Sequence, residues 1–244
     1  MEPLRPCTAW RGNSDCLACD GQEHTLFSGL KPETVPTLHA EVSNGRYANG
    51  SLMYAAGEHA TDLWVLRTGA VKLLSASWDG EIRIVRVLKP GDTAGLEGLL
   101  ADQYAHHAYA IGEVRVCRTP IDAVRNLCLN HAEYHWDLMR QWQAALRETE
   151  QWLLDATTTG APARVRMARL LLRLRVGNSH RIYNFPREDL GLILGIAIET
   201  ASRIIAAFVR EKLLVKHHSK SNEAARYYTA DIARIEAIAH GRIA

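Results

Sequence analysis

The spacing of apolar and polar residues changes from short alternating runs to helical periods near Pro120. From about residue 47 to residue 118 the apolar runs are short and are separated by glycine turns, as in WDGEIRIVRVLKPGD. This pattern is typical of antiparallel strands in a sandwich or barrel. In DLWVLRTGAVKLL the two apolar runs are divided at Thr68-Gly69, and the division predicts a hairpin there.

A long helix is predicted over residues 137–156, with a seam at heptad spacing along one side. The seam either packs on the helix's own domain or is buried in a dimer, and its strict step and flanking charges favour the dimer. Glu148, Glu150 and Asp155 flank the seam and would repel the same residues of the partner copy. Such repulsion would make the dimer only marginally stable and would shift its equilibrium with the monomer. The predicted seam residues are Met139, Trp142, Leu146, Thr149, Leu153 and Ala156.

Two closely spaced helices are predicted within FPREDLGLILGIAIETASRIIAAFVREKLL, residues 185–214. The first begins after Pro186 and ends near Gly195, where a left-handed turn costs little. The second is amphipathic, with an apolar face opposite a short polar row. A short helix, a glycine-bearing turn and a longer helix form a helix-turn-helix, and the following segment 213–231 is predicted to form a hairpin wing.

The polar row consists of Glu199, Ser202 and Arg203, which share one helix face. Arginine can donate two hydrogen bonds to guanine, a carboxylate can accept one from cytosine, and a hydroxyl can serve either role. A solvated face of an ordinary amphipathic helix is the alternative interpretation. The charge distribution favours DNA, because residues 161–220 hold 12 basic and 4 acidic side chains, whereas residues 1–160 hold 14 and 20. Candidate phosphate contacts are Arg187, Arg210, Lys212, Lys216 and Lys220.

These elements together resemble the cyclic-AMP-receptor/FNR superfamily of bacterial transcription regulators, from about residue 25 to the end. The sequence ETASR matches the Glu-x-x-Ser-Arg pattern of the FNR branch, whereas the cyclic-AMP branch has glycine at the position of Ser202. The resemblance implies a homodimer that binds double-stranded DNA at an inverted repeat close to TTGAT. It also implies RNA polymerase as a partner and no enzymatic activity.

The fold implied by the resemblance is of the α+β class. It comprises an N-terminal β-barrel of the double-stranded β-helix or jelly-roll type, similar to cyclic-nucleotide-binding domains, a long dimerisation helix and a C-terminal winged helix-turn-helix. The predicted domains are a cysteine-bearing segment 1–24, a sensor barrel 25–120, a helical connector and dimerisation helix 121–159, and a DNA-binding domain 160–244.

Binding of a cyclic nucleotide is not expected. Family members that bind one hold its phosphate with an Arg-Ser pair, and the matching place here is occupied by His106 and His107. Neither imidazole offers a permanent fork of donors. Leu96 stands where the family places a ribose-binding glutamate.

Cysteines suggest a different ligand. Cys16 and Cys19 form a C-x-x-C pair, and Cys7 lies just upstream. By resemblance, FNR-type oxygen sensors hold a 4Fe–4S cluster with three N-terminal cysteines and one on the last barrel strand, where EVRVCRTP places Cys117. The spacing departs from the family pattern, in which the first two cysteines form a C-x-x-C pair. Here CTAW has Trp10 at the position of the second cysteine.

Other ligands are compatible with the same cysteines. Zinc on the three N-terminal cysteines with His24 or Cys117, a thiol switch, haem, another small-molecule effector or no ligand remain alternatives. An enzyme that uses Cys16-x-x-Cys19 as a thiol oxidoreductase is disfavoured, since no parallel-sheet pattern follows the motif. Residues 1–20 lack an apolar run, and the most apolar stretch, residues 190–198, is too short to span a bilayer, so we expect a cytoplasmic protein with no membrane partner.

Overall fold

A computed structural model describes Leu26 and residues 41–76, 78, 80–157, 160–216 and 227–242 of the 244-residue chain. The chain divides into two compact units, the first ending at Thr149 and the second beginning at Glu150. The long helix Ala132–Thr157 crosses this division. Each unit has its own antiparallel sheet.

An antiparallel sheet forms most of the first unit. Its strands are β1 Ser43–Tyr47, β2 Leu52–Tyr54, β3 Asp62–Ala76, β4 Ile82–Leu88, β5 Thr93–Ala94 and β6 His107–Pro120. The strand order is β1-β6-β3-β4, with β2 paired to β6 and β5 paired to β3. The two longest strands, β3 and β6, lie side by side and contribute most of the buried apolar residues that the strands supply to the core.

The hairpin predicted at Thr68-Gly69 is wrong, because β3 runs on through this point to Ala76. The pairing of β3 with β6 shifts register on both sides of Thr68, so Gly69 lies in a β-bulge. Gly69 has a φ of 82°, and a Cβ added there would lie 2.5 Å from the backbone oxygen of Glu113. A glycine between two apolar runs occurs in hairpins and in bulges. A bulge forms here because β6 pairs with β3 on both sides of Gly69.

We expect Gly69→Ala to lower the free energy of unfolding by about 2–4 kcal/mol, because it adds backbone strain to a clash with a paired strand. Gly57→Ala is the matched control, since Gly57 has a φ of 83° but nothing within 4 Å of an added Cβ. Its cost should be about 1 kcal/mol, from the left-handed conformation alone. Urea unfolding of the two variants measures both values, and equal losses would contradict the role of the close approach.

Helices α1, Ile121–Asn130, and α2, Ala132–Thr157, follow the sheet. The long helix predicted from the heptad pattern is therefore present and begins five residues earlier than its expected start. Tyr134 and Leu138, in its first two turns, are buried in the core of the first unit together with Leu26. This burial fixes the start of the long helix against the core of the first unit.

The second unit holds the remaining elements. They are α3 Ala163–Arg173, β7 Arg181–Tyr183, α4 Arg187–Leu194, α5 Ile198–Arg210, β8 Leu214–Lys216, β9 Tyr227–Ala230 and α6 Ile232–Ala239. The sheet order is β7-β9-β8, and all pairs are antiparallel.

The wing predicted from the sequence is present as the pair of β8 and β9, in which Leu214 lies opposite Ala230. Residues 217–226, between these two strands in the sequence, lie outside the described residues. Among the helices that are described, none alone is long and apolar enough to cross a membrane. Helices α4 and α5, taken together as a bent pair, reach that length and apolar composition.

Candidate DNA-binding site

Helices α4 and α5 meet at an angle of 111°, within the range of a helix-turn-helix. Gly195 ends α4 in the left-handed conformation, with a φ of 60°. The N–H of Ile196 donates to the carbonyl oxygen of Gly191 at 3.1 Å, and a Cβ on Gly191 would lie 2.9 Å from the Ile196 oxygen. The two glycines therefore permit the tight turn that the sequence predicts.

The two faces of α5 are those that its sequence predicts. Glu199 and Arg203 are exposed and Ser202 is partly exposed. One Nη of Arg203 donates to the hydroxyl oxygen of Thr200 at 3.3 Å, so this guanidinium lies along the outer face of the helix. The opposite face is buried at Ala201, Ile205 and Phe208.

Part of the basic block serves the protein itself. Arg166 donates to the Leu194 carbonyl oxygen at 2.7 Å, and Arg169 donates to that of Ala239 at 3.0 Å. Both acceptors end a helix, where carbonyl groups lack partners within the helix and attract positive charge. The charge count of residues 161–220 therefore overstates the positive surface that is available to DNA.

The candidate phosphate contacts differ in their surroundings. Arg187 donates to the Phe185 carbonyl at 3.1 Å and to the Tyr228 hydroxyl at 2.6 Å, so its guanidinium is held within the unit. Lys216 is exposed on β8. Lys220 lies outside the described residues.

Lys212 adopts a conformation that usually selects glycine. It has a φ of 60° directly after the last turn of α5. Its N–H donates to the Val209 oxygen, and the N–H of Leu213 donates to the Phe208 oxygen. These are the two hydrogen bonds of a Schellman motif, whose left-handed residue is usually glycine. A lysine here costs conformational energy and places an exposed positive charge at the end of α5.

The predicted dimer seam leaves apolar area open on α2. Met139, Leu146 and Leu153 are 50%, 54% and 62% exposed. Trp142 is partly buried against the core of the first unit, and the Thr149 hydroxyl donates to a carbonyl of its own helix. Among the seam residues with described side chains, three thus expose half or more of their surface. The side chain of Ala156 lies outside this set.

Glu148 has partners within its own chain. Its carboxylate lies 3.0 Å from an Arg86 nitrogen and 3.7 Å from Lys89 Nζ. Burial, with the nearby Glu148 charge, raises the pKa of Asp92. Because Glu148 is compensated by two cations, the expectation that it repels its symmetry mate is not supported for this residue.

A carboxylate of the chain lies beside His106, which occupies the position where family members that bind a cyclic nucleotide hold its phosphate. Glu97 lies on a short 3-10 helix, Leu96–Leu99, and one oxygen of its carboxylate lies 3.4 Å from both the Ala105 N–H nitrogen and His106 Nδ1. Burial alone would raise the pKa of Glu97, but the His106 ring and neighbouring backbone N–H groups outweigh it and lower that pKa. A phosphate at this place would meet a negative charge.

Cys117 is the one predicted cluster ligand within the described residues, since Cys7, Cys16 and Cys19 lie outside them. It lies near the end of β6, opposite Asn44, and its thiol is 3.9 Å from the Asn44 side-chain oxygen. Its exposed fraction is 7%. It fits the role of one thiolate ligand, and no group of three metal-binding side chains is formed among the residues that the structure describes.

Comparison with known proteins agrees with this arrangement. The family profile "Cyclic nucleotide-binding domain" matches residues 45–131, and "Crp-like helix-turn-helix domain" matches residues 165–222. The chain belongs to the CRP/FNR family of transcription regulators. The family and the α+β fold class predicted from the sequence are thereby confirmed.

Relatives of this CRP/FNR protein are regulators of transcription. The transcriptional activator protein Anr of Pseudomonas protegens is 27% identical over 206 residues, 82% of this chain and 84% of Anr. An anaerobic regulatory protein of Aggregatibacter actinomycetemcomitans is 26% identical over 164 residues, 64% of this chain and 63% of the relative. The structure of FixK2 from Bradyrhizobium japonicum has a TM-score of 0.67 at 23% identity, covers 81% of this chain and 96% of FixK2, and shows the shared fold.

Proposed function

We propose that this CRP/FNR regulator is a homodimer that reads an inverted repeat close to TTGAT through Glu199, Ser202 and Arg203. The observation that carries the proposal is the arrangement of α5, which presents these side chains outward while its opposite face is buried. Helix-turn-helix proteins insert such a helix into the major groove, with its first residues on base edges. Lys216 is proposed to assist at phosphates. For Arg187 this role stays a prediction from the sequence, because Phe185 and Tyr228 hold its guanidinium within the unit.

The dimer is proposed to form along α2, where Met139, Leu146 and Leu153 leave apolar area open. A twofold axis along this seam gives two recognition helices, which bind half-sites about 34–36 Å apart. A monomer would lose this bivalent binding. Dissociation of the dimer along this seam would therefore lower the affinity for DNA.

The regulatory input is proposed to be oxygen or redox state, through a 4Fe–4S cluster held by Cys7, Cys16, Cys19 and Cys117. The position of Cys117 near the end of β6 supports this assignment, as does the similarity to a protein named an anaerobic regulator. Four thiolates suffice for such a cluster, which supplies an oxygen-labile tie between the ligands. The carboxylate of Glu97 beside His106 argues against a cyclic nucleotide.

The proposed division of labour follows the predicted domains. In this proposal residues 1–24 supply three thiolates, 25–120 form the sensor, 121–159 connect and dimerise, and 160–244 bind DNA. Contact with RNA polymerase is proposed for loops of the barrel or of the hinge. The second candidate is the same DNA-binding regulator without a cluster, which would use zinc, a thiol switch, haem or another effector. It is favoured by the departure of CTAW, with Trp10, from the family spacing.

Anaerobic purification separates these candidates. We expect about four iron and four sulfide per chain, and a Cys16→Ser variant should lose both. Cys128→Ser is the matched control, because Cys128 lies on α1 outside the proposed ligand set. On admission of air, the wild-type protein should change from dimer to monomer and lose DNA affinity as iron is released.

Four other outcomes would change the proposal. Zinc at one ion per chain, or intact DNA binding with no metal, would favour the second candidate. Release of iron in air with unchanged mass and unchanged DNA affinity would contradict the switch. Failure of the anaerobic protein to discriminate the inverted repeat from a scrambled duplex would contradict the DNA-reading proposal itself.

A further inference from the structure

The C-terminal end of α5 is tied to the start of α3 by a paired arginine and carboxylate. Arg164, the second residue of α3, places its two Nη atoms 3.1 and 2.6 Å from the two carboxylate oxygens of Glu211, which directly follows α5. Both side chains are partly buried. Two parallel N–H···O bonds of this kind fix orientation as well as distance. The Arg164 guanidinium also lowers the pKa of the Glu211 carboxyl.

Further contacts surround this pair. The guanidinium carbon of Arg164 lies 4.8 Å from the ring centre of Phe208, which is fully buried on the inner face of α5. Arg234, at the start of α6, donates to the backbone oxygen of Glu211 at 3.3 Å. The end of α5 is thus held from α3 and from α6.

The surroundings of Arg164 distinguish it from a phosphate contact. Both of its Nη atoms are engaged by Glu211, and its Nε is buried with no acceptor among the described residues. A phosphate would have to displace a charged partner that already matches the fork in geometry. The charge-based interpretation of the basic block does not apply at this position.

We propose that Arg164 is a positioning residue for DNA recognition, which holds Glu211 and Phe208 and so sets the direction in which α5 presents Glu199 and Arg203. The inference rests on the proposed function, because it assumes that α5 reads DNA. A helix of 13 residues is about 20 Å long, so a small tilt at its C-terminal end displaces side chains in its first turns by ångströms. Hydrogen bonds to base edges do not survive such a displacement.

Charge reversal tests the proposal in the full-length protein. Glu211→Arg makes the DNA-binding unit more positive, so simple attraction to DNA would strengthen binding. We expect the opposite for the inverted repeat, a loss of about tenfold or more, because Arg164 then faces a like charge. The exchange variant Arg164→Glu with Glu211→Arg keeps the wild-type net charge and should recover affinity to within about threefold.

The salt dependence of binding separates positioning from direct contact. Arg164→Gln should weaken binding without changing the slope of log K against log salt. Loss of a phosphate contact would instead reduce that slope by about 0.9. Arg164→Lys, which keeps the charge but lacks the fork, serves as the milder variant and should also weaken binding. Thermal unfolding establishes that each variant is folded at the assay temperature.

Hydrogen exchange provides a measurement that does not depend on DNA. Arg164→Gln should accelerate hydrogen exchange of the amides in residues 205–213. The double variant Arg164→Glu with Glu211→Arg should restore their protection. No recovery of affinity in the exchange variant while the wild type reads the repeat, or a reduced salt slope for Arg164→Gln, would overturn the positioning role. Unchanged amide exchange in Arg164→Gln would also overturn the positioning role, whether or not the wild-type protein binds the repeat. Failure of the wild-type protein to bind the repeat would contradict the proposed function.

Discussion

Replacing Arg203 with alanine weakens binding to the inverted repeat by about 1–3 kcal/mol and relaxes the preference at one base position. This result is expected because a guanidinium that donates to two acceptors of one guanine distinguishes that base from the other three. Arg203 is exposed on the outer face of α5, and its contact with Thr200 is a single bond at 3.3 Å. Among the contacts described for this guanidinium there is no charged partner that DNA would have to displace.

The measurement is competition binding with duplexes in which each position of one half-site carries each of the four bases. Lys216→Ala is the comparison, since Lys216 is an exposed lysine on the wing strand β8. It should weaken binding to all duplexes alike and reduce the salt slope by about 0.9. If Arg203→Ala weakens all duplexes equally, Arg203 contacts phosphate and the base-reading assignment is wrong.

The helix-turn-helix could be predicted from the sequence because its signals are local. Pro186 before the first helix, Gly195 after it and the apolar spacing at Ala201, Ile205 and Phe208 act within a few residues. Such signals need no knowledge of distant partners. The same reasoning located the long helix, although the helix begins five residues earlier than predicted.

Pairings between distant residues could not be predicted in this way. The sequence predicts a hairpin turn at Gly69, because it does not reveal that β6 pairs along most of β3, on both sides of this glycine. Arg164 and Glu211 lie 47 residues apart, and no spacing rule joins them. Their charges were visible, but the partner of each charge is fixed only by the packing of α3 against α5.

The charge pattern shows the same limit in a functional setting. A run of basic residues predicts a polyanion partner only if the charges remain outside. In this unit Arg166 and Arg169 bond to helix-terminal carbonyls, and Arg187 bonds to Tyr228. The expectation from charge therefore narrows to exposed side chains such as Arg203, Lys212 and Lys216. The basic block therefore comprises residues that bond to helix ends and exposed residues that are proposed to contact DNA.

A second large effect is expected at the seam of α2, where Leu146→Glu should convert the dimer to a monomer. Leu146 is 54% exposed, and burial of its open area in both copies would contribute about 1–2 kcal/mol. A glutamate at this position loses that contribution and brings two like charges together across the twofold axis. Because each half-site is then bound separately, affinity for the inverted repeat should fall by about a hundredfold or more.

Sedimentation velocity measures the mass, and binding to the full repeat and to a single half-site measures the loss of bivalency. Ala144→Glu is the matched control, since Ala144 is an exposed residue of the same helix on the side away from Leu146. It adds the same charge but should leave mass and affinity unchanged.

If Leu146→Glu remains a dimer, or if both variants dissociate alike, the seam does not form the dimer interface. If Leu146→Glu becomes a monomer and still binds the full repeat as the wild type does, the two half-sites are not read by one dimer. Loss of affinity for the full repeat, with affinity for the half-site retained, is the result that only a dimer along this seam explains.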